Sequence, residues 1–107
     1  MVIDRFAIYL VELDPTKGSE IAKTRPCVVV SPEVVNQRLR TVIIAPLTST
    51  IKPYPTRIDS EFDGKAGQVA LDQIRAVDKA RLRKRLGDLT DDAAQKVSAG
   101  LVALFSY

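Results

Sequence analysis

The chain has 107 residues, of which 16 are Lys or Arg and 13 are Asp or Glu, so its formal charge is +3. This length predicts one domain over residues 1–107 and leaves no room for a second. One Cys and no His exclude an internal disulfide, an ordinary zinc site and catalysis by Ser-His-Asp or Cys-His groups. Any catalysis must therefore use carboxylates, Arg, Lys, hydroxyl groups or Tyr.

The charge is unevenly spread along the chain. Between residues 75 and 85, six cations stand against the single acid Asp78, a local charge of +5 that leaves the rest of the chain at −2. Such a run is either a solvated surface or a binding site for the phosphates of a polyanion, and the sequence leaves both open. No stretch approaches the roughly 20 apolar residues of a membrane-spanning helix, and the N-terminus lacks a signal-peptide pattern. We therefore expect a cytoplasmic protein without membrane contact.

The first half of the chain predicts three strands and one short helix. Residues 6–13 are apolar and β-prone, and turn formers follow them. The runs at 26–30 and 40–47 are continuous and apolar, which is typical of strands buried on both faces. Pro46 predicts a sheet edge or a strand end. Between these runs, Ser31 as capping hydroxyl, followed by Pro and Glu, predicts a helix that ends near Asn36.

The second half begins with a loop at 49–55 that two prolines stiffen, and a polar strand around 56–58 follows. A turn is predicted at 64–67. Residues 68–77 alternate between polar and apolar side chains but change phase at Asp72, which predicts a bulged strand. Asp78 is expected to cap a short turn, residues 82–86 to form the last strand, and residues 87–89 to break it.

A helix is predicted from Thr90 to Phe105, because a capping hydroxyl precedes two acids in the first turn. Five apolar residues share one predicted face and should pack on a sheet: Ala94, Val97, Leu101, Leu104 and Phe105. Several strands followed by one terminal helix predict a mainly β fold, a small curled antiparallel sheet or barrel.

Polar residues that core packing does not explain lie in the predicted loops. They comprise Asp14, Glu20, Thr24 and Arg25, then residues 48–50, and finally Asp72 and Gln73. Binding residues favour such loops. Other interpretations stay open: Arg25 can form a structural ion pair with Glu20, and Thr48 can cap its strand. Cys27 is interpreted as a small buried apolar residue and not as a nucleophile.

Four ordered segments carry a family resemblance. They are IYLVELDPTKGSEIAKTRPCVVVSP at 8–32, VIIAPLTS at 42–49, YPTRI at 54–58 and GQVALDQIRAVDKARL at 67–82. Together they closely resemble the MazF/PemK family of bacterial toxins, the endoribonuclease (mRNA interferase) halves of type II toxin–antitoxin pairs. The resemblance implies a small SH3-like barrel of the CcdB/PemK type with a C-terminal helix. It also implies a symmetric homodimer, single-stranded RNA as substrate, and inhibition by a cognate antitoxin.

The resemblance also assigns roles to single residues. The catalytic Arg of the family's RP motif falls on Arg25, and its catalytic Thr falls on Thr48. The acid of its GSE segment falls on Glu20, and the DQ pair that holds RNA falls on Asp72 and Gln73.

Three further residues are candidates for RNA binding. Ser49 and Lys17 lie in the two loops that we expect to choose bases, and Arg81 lies in the basic run. Some family members place a proton-transferring Arg two residues before the DQ Asp. Ala70 occupies that position here, so that version of the mechanism cannot apply unchanged.

The resemblance implies cleavage without a metal or another cofactor, in which the RNA's own 2′-hydroxyl attacks and leaves 2′,3′-cyclic phosphate and 5′-hydroxyl ends. Arg25 suits charge stabilisation, because a guanidinium stays protonated and donates two parallel hydrogen bonds to phosphate. Glu20, and after it Asp72, is the candidate to take the proton of the 2′-hydroxyl. Two alternatives remain: a non-enzymatic toxin of the same fold that binds gyrase, as CcdB does, and a plain RNA-binding barrel.

Overall fold

The computed structural model describes residues 2–107. Within that range the chain forms seven strands, two α-helices and two 3-10 turns. In chain order the elements are β1 Ala7–Glu12, β2 Thr24–Val29, α1 Glu33–Arg38, β3 Thr41–Thr48, β4 Arg57–Phe62, β5 Lys65–Ala70, a 3-10 turn Leu71–Gln73, β6 Arg75–Asp78, a second 3-10 turn Lys79–Arg81, β7 Leu82–Asp88 and α2 Asp91–Phe105.

The strands form one curled antiparallel sheet in the order β4-β5-β3-β2-β1-β7. The remaining strand, β6, pairs with residues 41–44 of β3, while β5 pairs with residues 47–48 of the same strand. Strand β3 therefore bends the sheet by changing partner along its length. The result is a half-barrel with a C-terminal helix, which confirms the predicted mainly β fold.

The second half of β2, residues 27–29, is buried on both faces, as the continuous apolar run predicts. Cys27 and Val29 lie in one core cluster together with side chains of β1, β3 and β6. Val28 and Val30 lie in a second cluster, which α2 covers on the opposite face of the sheet. Successive residues of a strand point to opposite faces, so a strand between two cores needs apolar residues throughout.

The proline in β3 occupies a break between two ladders. Strand β3 is central and not an edge strand, yet its pairing with β6 ends at Ile44 and its pairing with β5 begins at Leu47. Pro46 lies between these points and two residues before the end of the strand. A residue without an N–H is tolerated where no ladder bond is required.

Helix α1 forms as predicted, but its capping is different. Pro32 occupies the N-cap position, and no side chain caps the helix. The hydroxyl of Ser31 instead donates to Asn36 Oδ1 at 2.5 Å and accepts from the backbone N–H of Ile43 at 3.0 Å. Asn36 in turn donates to the backbone oxygen of Ile3 at 2.9 Å. Ser31 therefore ties the helix to β3, and the prediction that it caps the helix is wrong.

The segment that follows the β4–β5 turn differs from the expected single bulged strand. The turn itself is limited to Asp63 and Gly64, so residues 65–67 belong to β5 and not to a turn. The 3-10 turn at Leu71–Gln73 divides the predicted strand into β5 and β6. The phase change at Asp72 thus marks a break at which the chain moves to another part of β3.

The last strand and the last helix begin as expected. Asp78 Oδ1 accepts a hydrogen bond from the N–H of Ala80 at 2.8 Å, which confirms the predicted cap. Strand β7 continues to Asp88 beyond its predicted end, because residues 87–88 pair with β1. Thr90 then caps α2 by accepting a hydrogen bond from the N–H of Ala93 at 3.3 Å.

Helix α2 packs on the sheet through only part of its predicted face. Ala94, Val97 and Leu101 belong to the second core cluster. Leu104 is 40% exposed and Phe105 is 71% exposed, so the prediction that they are core residues is wrong. Leu101 is the last residue of α2 that packs against this core cluster, and the final turn of the helix extends beyond the cluster. Within residues 2–107, no helix is both long enough and apolar enough to cross a membrane.

Candidate active site

Arg25 lies at the start of β2, where the strand leaves the loop that follows β1. Its backbone pairs with Val11 of β1. Cys27 lies opposite Pro46 in the β2–β3 ladder, and the same register continued for two residues places Arg25 opposite Thr48. The Nε–H donates to the backbone oxygen of Ala22 at 2.8 Å. This bond fixes the plane of the guanidinium, and the two terminal nitrogens make no hydrogen bond or ion pair within residues 2–107. They are free to donate to an anion.

Thr48 ends β3 and is only 8% exposed. Its Oγ1 accepts a hydrogen bond from the N–H of Thr50 at 3.1 Å, as in the strand-capping interpretation. A hydroxyl that accepts one hydrogen bond still has a proton to donate. The capping role and a role in phosphate binding are therefore compatible.

Gly67 on the neighbouring strand β5 leaves space for the backbone carbonyl of Thr48. A Cβ atom at Gly67 would lie 2.7 Å from the carbonyl oxygen of Thr48, closer than such atoms approach one another. Glycine at this position therefore allows β5 to pack closely against the end of β3. The close approach places the β4–β5 hairpin beside the candidate catalytic residues.

One pocket brings Arg25, Thr48 and Ser49 together. It has a volume of about 210 Å³ and is also lined by Pro26, Leu47, Ser60, Phe62, Lys65, Ala66 and Gly67. The residues come from the starts and ends of four strands. A cationic donor and a hydroxyl donor, Arg25 and Thr48, on a largely apolar pocket are suited to one phosphate and the group attached to it.

Glu20, the candidate general base, lies in the neighbouring pocket. That pocket has a volume of about 260 Å³ and also contains Pro46, Asp72, Gln73 and Arg75. Glu20 is exposed, and its Oε1 accepts a hydrogen bond from the backbone N–H of Lys17 at 2.6 Å. No ion pair joins Glu20 to Arg25 within the described chain. The structural pairing considered for these two residues is therefore not formed.

Asp72 has its carboxylate occupied by an ion pair. Arg57 Nε donates to Oδ1 at 2.7 Å, Arg57 Nη2 donates to Oδ2 at 3.1 Å, and Thr56 Oγ1 donates to Oδ1 at 3.0 Å. The hydrogen bond from Arg57 lowers the pKa of Asp72 from its ordinary value. A carboxylate held in this way is a poor proton acceptor, which favours a structural or positioning role over the role of base.

Gln73 holds the loop between β1 and β2. Its Oε1 accepts a hydrogen bond from the N–H of Ile21 at 3.2 Å, across a separation of 52 residues. The amide nitrogen of Gln73 makes no hydrogen bond within residues 2–107 and is free to donate to a ligand. The neighbours Asp72 and Gln73 thus fix two different segments around the second pocket.

The basic run is largely engaged by the protein itself. Arg75 and Arg81 donate to backbone oxygens of the loop after β1: Arg75 to Leu13 at 3.0 Å, and Arg81 to Asp14 at 2.5 Å. Arg83 pairs with Glu12 and lowers the pKa of that carboxyl group.

The other members of the basic run differ in their contacts. Arg85 pairs with Asp88 at 2.7 Å and with Asp4 at 3.5 Å. Lys79 and Lys84 make no ion pair within the described residues. Lys17 is likewise exposed in its loop and has no ion pair there. The predicted RNA contacts of Arg81 and Lys17 stay predictions.

Cys27 is not available for chemistry. It is fully buried two residues after Arg25, and burial raises the pKa of its thiol to about 12. A thiol that stays protonated is a weak nucleophile. Within residues 2–107 no three Cys, Asp or Glu side chains converge on a common point where a metal ion could bind.

Arg57 and Gln68 are among the residues near the site that the sequence did not single out. Arg57 fixes Asp72, and Gln68 is 4% exposed and holds the 49–55 loop. Gln68 Nε2 donates to the backbone oxygen of Lys52 at 3.1 Å and to Asp59 Oδ1 at 3.0 Å, and Gln68 Oε1 accepts from the N–H of Lys52 at 3.0 Å. In the sequence, Gln68 stood out only as a polar residue of the alternating strand predicted at 68–77.

Comparisons with known proteins agree with the fold and with the motifs. The pattern of the family described as PemK-like, MazF-like toxin of type II toxin-antitoxin system matches residues 4–105. The endoribonuclease EndoA of Bacillus subtilis (strain 168) is 31% identical in an alignment that covers 94% of this chain and 92% of that protein.

Solved structures extend this similarity to three dimensions. The crystal structure of MazF (Form-I) from Deinococcus radiodurans superposes with a TM-score of 0.86 at 27% identity, over 100% of this chain and 99% of that one. A MazE-MazF structure (Form-III) from the same organism superposes with a TM-score of 0.80 at 26% identity, over 97% and 96% of the two chains. This chain therefore belongs to the PemK-like, MazF-like toxins of type II toxin–antitoxin systems.

Proposed function

We propose that this protein is an endoribonuclease toxin that cleaves single-stranded RNA, including mRNA, at specific sequences and without a metal or other cofactor. The observation that carries the proposal is the pocket shared by Arg25 and Thr48, whose terminal N–H and O–H groups are free to meet a phosphate. Membership of a toxin family and the similarity to an endoribonuclease support the same activity.

The reaction uses the RNA as its own nucleophile. The 2′-hydroxyl loses its proton to a base, its oxygen forms a bond to phosphorus, and the bond from phosphorus to the 5′-oxygen breaks. The 5′-oxygen takes a proton, so the products are a 2′,3′-cyclic phosphate and a 5′-hydroxyl end. Arg25 and Thr48 stabilise the charge that develops on the phosphate oxygens, which is a large term in such reactions.

Glu20 is the proposed base. It is an exposed carboxylate at the edge of the neighbouring pocket, with one oxygen engaged by the N–H of Lys17 and the other free within the described residues. Asp72 is held by Arg57 and fits better as a group that positions RNA, together with Gln73. Ser49, Lys17 and Arg81 are proposed to complete the RNA-binding surface.

The proposal includes the partners and the setting of the protein. As a toxin of a type II pair, it is expected to act in the cytoplasm as a single-domain protomer of a homodimer. A cognate antitoxin is proposed to inhibit it by binding the same dimer. The MazE-MazF structure that superposes on this chain supports that arrangement.

The decisive test replaces Arg25 with Ala. The variant should lose about 10²- to 10³-fold in cleavage rate, the scale for removing one preorganised donor. Arg38→Ala is the matched control, because Arg38 is exposed on α1 and lies outside both pockets. Cleavage of a mixed single-stranded RNA pool in chelator, followed by sequencing of the ends, reports rate, end chemistry and recognition sequence together.

The outcomes separate the competing functions. Full activity in Arg25→Ala would exclude Arg25 as the catalytic group, and dependence on added metal would exclude the metal-free mechanism. Binding of RNA without any turnover would identify a plain RNA-binding barrel instead. In the same assay, Glu20→Gln should remove the acidic limb of the pH–rate profile. An unchanged limb would show that Glu20 is not the base.

A further inference from the structure

We propose that the β4–β5 hairpin seats one nucleobase of the RNA, next to the phosphate that Arg25 and Thr48 hold, by stacking it on Phe62. The inference rests on the proposed function and extends it to the part of the pocket that the catalytic residues do not occupy. Phe62, Lys65 and Ala66 line this part of the pocket.

The position of Phe62 follows from the hairpin. Phe62 ends β4 and pairs with Lys65, the first residue of β5, across the turn at Asp63 and Gly64. Its ring packs partly against the second core cluster and stays half-buried. An aromatic ring held by the core on one side and open to a pocket on the other is suited to stacking with a planar ligand.

The opposite part of the pocket contains the catalytic pair. Pro26 follows Arg25 directly, and Leu47 precedes Thr48, so each catalytic residue has an apolar neighbour in the same pocket. Gly67 brings the hairpin against the end of β3, since a side chain there would meet the Thr48 carbonyl at 2.7 Å. The close approach brings the hairpin that carries Phe62 to the pocket that Arg25 and Thr48 also line.

The size and chemistry of the pocket favour one base. Its volume of about 210 Å³ is below the roughly 300 Å³ at which pockets for drug-sized ligands begin, so it suits a group the size of a nucleobase. Sequence-specific recognition of single-stranded RNA commonly stacks an unpaired base on an aromatic side chain and reads its edge with hydrogen bonds.

Polar groups that can hydrogen-bond to the edge of a base line the same pocket as the ring of Phe62. The hydroxyls of Ser49 and Ser60 line the pocket and make no hydrogen bond within residues 2–107. A hydroxyl donates or accepts and can contact any base edge. The ammonium of Lys65 is exposed and has no ion pair in the described chain, so it is free to meet the adjacent phosphate. Phe62 and the two serines are therefore proposed as specificity-determining residues.

Cleavage kinetics test the stacking role. Phe62→Leu keeps an apolar side chain of similar volume but removes the aromatic face, and we expect it to lower kcat/KM about tenfold, the effect of losing a stacked base. The cleavage sequence should become less selective at one position. Phe62→Tyr keeps the ring and should retain both kcat/KM and selectivity. Equal activity and selectivity in the Leu and Tyr variants would overturn the proposal.

A spectroscopic measurement tests contact directly. The chain has no Trp, so Phe62→Trp introduces a single indole at the proposed seat. Its fluorescence should be quenched when a pool of non-cleavable 2′-O-methyl oligonucleotides binds, because stacking on a base quenches indole emission. Val34→Trp places the reporter on the exposed face of α1, outside the pocket, and should not be quenched.

The two measurements distinguish failure of the seat from failure of the function. Cleavage by the wild-type protein with no quenching at position 62 and no effect of Phe62→Leu would refute the nucleobase seat alone. Binding and quenching without wild-type cleavage would support the seat and refute the nuclease. Absence of both binding and cleavage would refute the two proposals together.

Discussion

Among single residues, Asp72 has the best-defined electrostatic environment. Its two oxygens accept hydrogen bonds from Arg57 at 2.7 and 3.1 Å, and the side chain of Arg57 is only 9% exposed. The pair lowers the pKa of Asp72 below its ordinary value of 3.8. A carboxyl group with a lowered pKa in the folded state stabilises the protein above its unfolded pKa, and this contribution is lost as pH falls through the folded value.

We therefore expect Asp72→Asn to lower the free energy of unfolding by up to about 1 kcal/mol at neutral pH, the usual scale for a partly exposed ion pair. The difference from wild type should shrink as pH falls below the ordinary value of 3.8 toward the lowered folded value, because the unfolded chain takes up the proton first. Urea unfolding at pH 7 and pH 3 measures it. Arg57→Gln should remove the same pH dependence, and a difference that persists unchanged at low pH would contradict the ion-pair explanation.

At the scale of elements, the 49–55 loop depends on one buried side chain. Gln68 makes three hydrogen bonds, two to the backbone of Lys52 and one to Asp59, and so joins this loop to the β4–β5 hairpin. Gln68 also lies opposite Thr48 in the β3–β5 ladder. The same residue therefore links the end of β3, the loop after it and the hairpin that lines the candidate active site.

We expect Gln68→Leu to lower the free energy of unfolding by about 1–3 kcal/mol, because hydrogen bonds of a buried amide are lost. Limited proteolysis should become faster within residues 49–55, and cleavage of RNA should become less sequence-selective. Gln37→Leu is the matched control, since Gln37 is exposed on α1 and its side chain bonds only to Glu33 within residues 2–107. Equal proteolysis of the two variants would show that Gln68 does not hold the loop.

The elements also show where sequence reasoning succeeds. The strands at 6–13 and 26–30 were predictable because their apolar pattern reflects local geometry and burial together. The break at Leu71–Gln73 was not, because long-range bonds from Arg57 to Asp72 and from Ile21 to Gln73 stabilise it. The periodicity of α2 predicted which residues share a face, but it could not show that the core ends at Leu101.

In the candidate site, too, some residues were assigned from the sequence and others were missed. Arg25 and Thr48 were assigned from the family resemblance, and the apolar pattern alone placed them only at strand ends. Gln68 and Phe62 were missed, because their positions in the site depend on the pairing of β5 with β3. Pairing between strands that are distant in sequence is a tertiary property, and one chain's pattern contains little information about it.

At the scale of the whole molecule, the exposed end of α2 bears on assembly. Val102, Leu104 and Phe105 lie within one turn of the helix and are 65%, 40% and 71% exposed. Single exposed apolar residues are ordinary, but a cluster of this kind is typical of an interaction surface. A domain of this size gains stability from a partner subunit, so we expect the proposed homodimer to cover this turn.

Sedimentation of the wild-type protein should therefore give the mass of a dimer at micromolar concentration, and its melting temperature should rise with protein concentration. Phe105→Glu should raise the dimer dissociation constant at least tenfold, because burying a Phe side chain contributes about 1.5–3 kcal/mol. Gln95→Glu introduces the same charge at another exposed position of α2 and should leave the constant within about twofold, a small effect on this free-energy scale. A wild-type monomer at all concentrations would refute the homodimer, whereas a dimer unaffected by Phe105→Glu would place its interface elsewhere on the molecule.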